Sequence, residues 1–158
     1  SAGPDWSTQN PEVSLDLNKV SSGQIELLKA AGKVYYLIQP DTIMQENLAT
    51  LQSHTWQQQN NNRYISKAGI TYLIVSAYGS GGCLLRHFNS SESNSQAGNP
   101  DTWLGGFVDL CDRLSYDYSG RLIQTAEYSY HGVTTQKETG LEGVEISSQV
   151  KKKIYIKN

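Results

Sequence analysis

The chain has 158 residues, a formal net charge of -2 and a sequence pI of about 5.9. That balance excludes the strong positive field that draws a protein to nucleic acid or to an anionic bilayer. The longest apolar run, Ile70 to Ala77, falls far short of the roughly 20 residues that cross a bilayer as a helix.

The length suits one compact domain with its own core. Residues 1–12 read as a flexible tail, a hinge if an anchor precedes Ser1, and the domain spans 13–158. Val13-Ser14-Leu15-Asp16-Leu17 alternates apolar and polar residues with the period of a half-buried strand. Ser21-Ser22-Gly23 reads as a turn, and Gln24 to Leu28 as a second strand. Ala31-Gly32-Lys33 turns the chain into a third, Val34-Tyr35-Tyr36-Leu37-Ile38, which is rich in strand-forming residues. Pro40-Asp41 ends it. Asp41 then caps a short helix, with Ile43, Met44, Leu48 and Leu51 recurring at helical spacing. Trp56 to Asn62 is polar and low in complexity, and reads as a loop.

Ile70 to Ser76 is the strongest strand, apolar enough for both faces to be buried. Tyr78-Gly79-Ser80-Gly81-Gly82-Cys83 follows as a tight loop whose glycines are expected to supply positive φ. No P-loop lysine follows it, so an anion cradle is the weaker reading. Residues 89–101 form a polar, turn-rich loop, and Trp103 to Val108 leads into a second glycine-containing loop. Asp117-Tyr118-Ser119-Gly120 turns Leu114-Ser115-Tyr116 into Arg121-Leu122-Ile123 as a hairpin. Val144-Glu145-Ile146 and Lys153-Ile154-Tyr155-Ile156 are the closing strands, and Lys151 to Lys153 a solvated edge. The expected fold is mostly β with one short helix.

The chain has two cysteines, Cys83 and Cys111. One bridge between them points to an oxidising compartment, and two buried free thiols are the other possibility. His54, His87 and His131 are scattered and read as surface or hydrogen-bonded residues. Trp56 and Trp103 read as packing residues, and Trp6 falls in the tail.

These segments, in this order, resemble the soluble domain of the Rieske iron–sulfur subunit of cytochrome bc1-type (ubiquinol–cytochrome c reductase) complexes. Leu15 to Gln24 resembles the family's opening strand and its "pGQ" turn, and Gly32-Lys33-Val34-Tyr35-Tyr36-Leu37 its "GKPVyv" strand. Tyr72-Leu73-Ile74-Val75 is similar to the strand entering the first cluster loop, and Asp101-Thr102-Trp103-Leu104-Gly105-Gly106-Phe107 to the approach to the second. Ser115-Tyr116-Asp117-Tyr118-Ser119-Gly120-Arg121-Leu122 is close to "SRYDxSGRv". The resemblance implies stacked antiparallel sheets with a small loop-rich tip subdomain at about residues 76–122.

The ligand positions depart from the family. In the second loop the ligand cysteine falls on Asp109 and the ligand histidine on Asp112, with Cys111 at a disulfide position. The serine that bonds a cluster sulfide falls on Leu114, while its tyrosine partner is kept as Tyr116. In the first loop, with one residue deleted, Gly79 and Gly81 stand at the ligand positions and Cys83 at the second disulfide position. The proline-rich loop is also missing, since Gln124-Thr125-Ala126-Glu127-Tyr128 stands there. A Rieske centre needs two thiolates on one iron and two imidazoles on the other, so no [2Fe–2S] cluster and no other cofactor is expected. Asp109 and Asp112, with His87, are the donors a hard or borderline cation would use. Arg113 beside Asp112 favours solvated or ion-paired carboxylates instead.

What the resemblance implies for the two cysteines is a Cys83–Cys111 disulfide. Closing a ~28-residue loop contributes roughly 3 kcal/mol. A structural role is favoured over redox switching, because nothing nearby lowers a thiol pKa. The implied function is a cluster-less, redox-inactive Rieske-like module without catalytic activity, acting as a structural or accessory docking protein of a respiratory membrane complex. Its docking surface would be the tip, with Ser80, Gly82, Leu110, Arg113 and Leu114. Protein partners are expected, with membrane contact only through a partner or an upstream anchor. The compartment is then the periplasm or the mitochondrial intermembrane space. The alternatives are an electron carrier with an altered iron–sulfur or other metal centre at the tip, and a metal-dependent protein using Asp109 and Asp112.

Overall fold

The computed structural model describes residues 13–30, 32–52, 55, 64–79, 81–90, 103–123, 140–141, 146–150 and 153–156. They form three antiparallel sheets and one α-helix. Strand β1 (Val13–Asp16) pairs with β10 (Lys153–Ile156), which pairs with β9 (Ile146–Val150), so early and late segments of the chain share one sheet. Of the closing strand expected at Val144-Glu145-Ile146, Val144 and Glu145 lie outside the described residues, and Ile146 opens β9. Asp16 ends β1 by accepting the Asn18 N–H at 3.0 Å, which starts a 3-10 turn that buries Leu17.

The central sheet runs β2 (Ile25–Ala30), β3 (Lys33–Ile38), β5 (Ile70–Ser76), β4 (Tyr64–Lys67). The β4–β5 hairpin turns on two residues, Ala68 and Gly69, at φ of 53° and 79°. Two left-handed residues in succession match the right-handed twist of the flanking strands.

Strand β5 decides the layering. Tyr72 and Ile74 join Leu17, Val20, Tyr35, Leu37 and Ile65 in one core. Leu73 and Val75 join Ile38, Met44, Leu85, Phe107 and Tyr116 in another. Side chains alternate across a strand, so the sheet separates two cores and both faces of β5 are covered, as its composition predicts. The exceptions are Ile70 and Thr71, which are exposed beside the turn.

Helix α1 (Thr42–Leu51) starts where expected, with Asp41 accepting the Met44 N–H at 2.8 Å. Its apolar face is narrower than predicted. Met44 and Leu51 are buried and Leu48 partly so, but Ile43 is 63% exposed. Ile43 lies about 100° around the helix from Met44 and faces out.

The third sheet carries the tip, in the order β6 (Arg86–Phe88), β7 (Gly106–Asp109), β8 (Leu114–Tyr116). Its joint with the central sheet is aromatic. The Tyr36 ring stacks on Phe107 at 4.7 Å, and its hydroxyl donates to the Leu85 carbonyl at 2.7 Å. Beneath β8, buried Asp117 accepts from Ser119 N, Ser119 Oγ and Arg121 N through Oδ1, and pairs with Arg121 Nε at 2.6 Å through Oδ2. Arg121 also donates to the Leu48 carbonyl, tying this turn to α1. A Cβ at Gly106 would collide with the Tyr116–Asp117 backbone, so only glycine lets the strands approach here.

Candidate functional site

Two loops meet at the tip. The first leaves β5, closes by a bridge between Tyr78 and Leu84, and is tightened by Gly79 N–H to Cys83 O and Gly82 N–H to Gly79 O. The second links β7 to β8. There Asp109 Oδ1 accepts the N–H of Cys111 at 2.9 Å and of Asp112 at 3.2 Å, a side-chain-built turn. Arg113, at φ of 55°, then reverses the chain into β8. A Cys83–Cys111 disulfide joins the loops, with Cα atoms 6.2 Å apart.

The four positions singled out by sequence face one another in pairs. A Cβ at Gly79 would collide with the Asp109 carboxylate, and one at Gly81 would fall 2.7 Å from Asp112 Oδ2. Positive φ is therefore not why glycine stands at 79 and 81. Among these loop glycines Gly82 has it, at 84°, whereas Gly79 leaves room for the buried Asp109 carboxylate and Gly81 lies against the exposed carboxylate of Asp112. Among the described residues, these loops do not bring together the two thiolates and two imidazoles of a Rieske centre. The loops offer two glycines and two aspartates, the sulfurs are bonded to each other, and Asp109 fills the space against Gly79.

Asp109 is fully buried rather than the solvated or ion-paired loop carboxylate expected. Its Oδ1 is satisfied by two N–H groups, but Oδ2 is buried with no hydrogen-bond partner. Asp112 is exposed. His87, considered as a third donor, instead places Nε2 at 2.7 Å from the Tyr118 hydroxyl. Among the described residues, the donors grouped with Asp109 are Cys83 and Cys111. His54 and His131 lie outside the described residues.

Of the expected docking residues, Gly82, Leu110 and Arg113 are exposed, Leu110 by 52%. Leu114 is a correction: as the first residue of β8 it is buried in the core with Phe107 and Tyr116. Ser80 lies outside the described residues. Sequence reasoning missed Leu84 and Tyr78, exposed by 48% and 43%. Their signal was a large apolar side chain on either side of a glycine loop. Burial, with Tyr78 adding to it, pushes the Tyr36 phenol above its usual value of 10.0.

Away from the tip, a cleft of about 540 Å³ runs beside the start of α1. Its one carboxylate, Asp41, already caps the helix. Comparison with protein-family models and with curated proteins finds no match to this chain.

Proposed function

We propose that the protein is a redox-inactive, Rieske-like docking module whose cluster-free tip contacts a protein partner, in keeping with a respiratory membrane complex. The observation that carries this reading is the facing of Gly79 with Asp109 and of Gly81 with Asp112 across a disulfide. Those are the positions at which the resemblance calls for cluster ligands, and carboxylates fit against glycines there instead. The rival electron-transfer reading needs free thiolates, and both sulfurs are committed to the bridge.

Exposed Leu84 and Leu110 support a docking role, since each adjoins a bridged cysteine. Large apolar side chains held together on a cross-linked tip suit a protein interface. The disulfide fits an oxidising compartment such as the periplasm or intermembrane space. Affinity capture from detergent-solubilised native membranes tests the reading. One partner complex should be recovered with the wild type and lost with Leu110→Asp. Recovery of the free chain, or equal recovery with the variant, contradicts it.

A further inference from the structure

Cys83, Asp109 and Cys111 each offer a ligand atom, and these atoms lie within 4.8 Å of one another. Asp109 is fully buried and its Oδ2 has no partner. An unpartnered buried carboxylate oxygen is costly, and in native proteins it signals a water, an ion or a proton that completes it. With the bridge closed, the two sulfurs carry neither a proton to donate nor a charge to share with a cation.

We infer that opening the Cys83–Cys111 bridge creates a binding site for a zinc-like divalent cation, held by both cysteine thiolates and the Asp109 carboxylate. A dithiol supplies the two electrons. It reduces the S–S bond to two thiols and leaves as a cyclic disulfide. The cation then displaces one proton from each thiol. Cys111 is exposed, so the reductant reaches a sulfur from solvent.

The donor set suits this ion. Zinc binds thiolates at about 2.3 Å and carboxylates at about 2.0–2.2 Å, so donors around it sit roughly 3.5 Å apart; the three ligand atoms here lie within 4.8 Å of one another, and the sulfurs separate once their bond is broken. Thiolate softness selects against magnesium and calcium. Two thiolates and a carboxylate crowded together also repel one another unless a cation or protons neutralise them. Asp109 is held in place for the role, because Oδ1 is fixed by the Cys111 and Asp112 N–H groups and Oδ2 is left over. A solvent molecule on the exposed Cys111 side completes four-coordination. The inference rests on the bridge and on Asp109, and stands or falls apart from the docking reading.

The test uses Co²⁺ as a coloured probe. Protein reduced with a dithiol, then freed of it under nitrogen, is titrated with Co²⁺ while thiolate-to-cobalt charge-transfer absorption is followed. Zn²⁺ is added afterwards. The reduced protein should bind one Co²⁺ per chain with that absorption and release it to Zn²⁺, and the disulfide form should show none. Asp109→Asn keeps an acceptor for the two N–H groups. It should retain the circular-dichroism spectrum yet bind about tenfold or more weakly. No charge transfer in the reduced protein, the same binding with the bridge closed, or unchanged affinity in Asp109→Asn overturns the inference. So does loss of the folded spectrum on reduction, because the site needs both loops in place.

Discussion

The Asp109 carboxylate occupies the space that any side chain at residue 79 would need. Gly79 and Asp109 are 30 positions apart in the sequence, and each fixes what the other can be. Gly79→Ala should therefore destabilise the protein by about 1–3 kcal/mol through overpacking. In an Asp109→Ala background the same change should cost much less. A double-mutant cycle measured by urea unfolding reads the difference, and additive effects would mean that the two residues do not meet.

The disulfide closes a separation of 28 residues. Replacing both cysteines by serine should lower stability by roughly 3 kcal/mol. The check is the urea midpoint at constant slope. A smaller loss would indicate that the β7–β8 hairpin already orders the loops.

Asp117 is fully buried, with Arg121 as its ion-pair partner. Asp117→Asn retains the shape but removes the charge, leaving a guanidinium largely out of solvent. The expected loss is about 2–3 kcal/mol by chemical unfolding. Because Arg121 also binds the Leu48 carbonyl, exchange protection of the α1 amides should fall in parallel.

Tyr36 sets an alkaline limit. Its phenol is neutral in the fold with a pKa raised above 10.0, chiefly by burial. Between the unfolded and folded values the unfolded chain binds fewer protons, so stability falls with rising pH there. Below pH 10 the contribution is fully present. Tyr36→Phe should flatten the decline of thermal stability above pH 10, and an unchanged slope would assign that decline to other groups.

Much of the β framework was legible because burial on two faces leaves a plain record. The run from Tyr72 to Val75 has no polar residue, and the alternation of Tyr72/Ile74 with Leu73/Val75 follows from strand geometry alone. The hairpin at Gly32 and the cap at Asp41 were legible from local chemistry. Strand β4 was missed because Ile65 is its one buried residue, and β6 because three residues carry no period. Leu114 was legible as the start of a strand, which β8 is, but its place next to the loop made it look like docking surface, and it is buried. The purpose of Gly79 and Gly81 was hidden for a deeper reason. A glycine that makes room for a distant side chain carries no local signature, and positive φ was the nearest local explanation.

The central claim, a tip closed by carboxylates instead of an iron cluster, is tested most directly by iron content. Protein captured from its native source and kept from air should be analysed for iron and by electron paramagnetic resonance after reduction. No stoichiometric iron and no signal from a reduced [2Fe–2S] centre are expected. Two irons per chain with such a signal would contradict it.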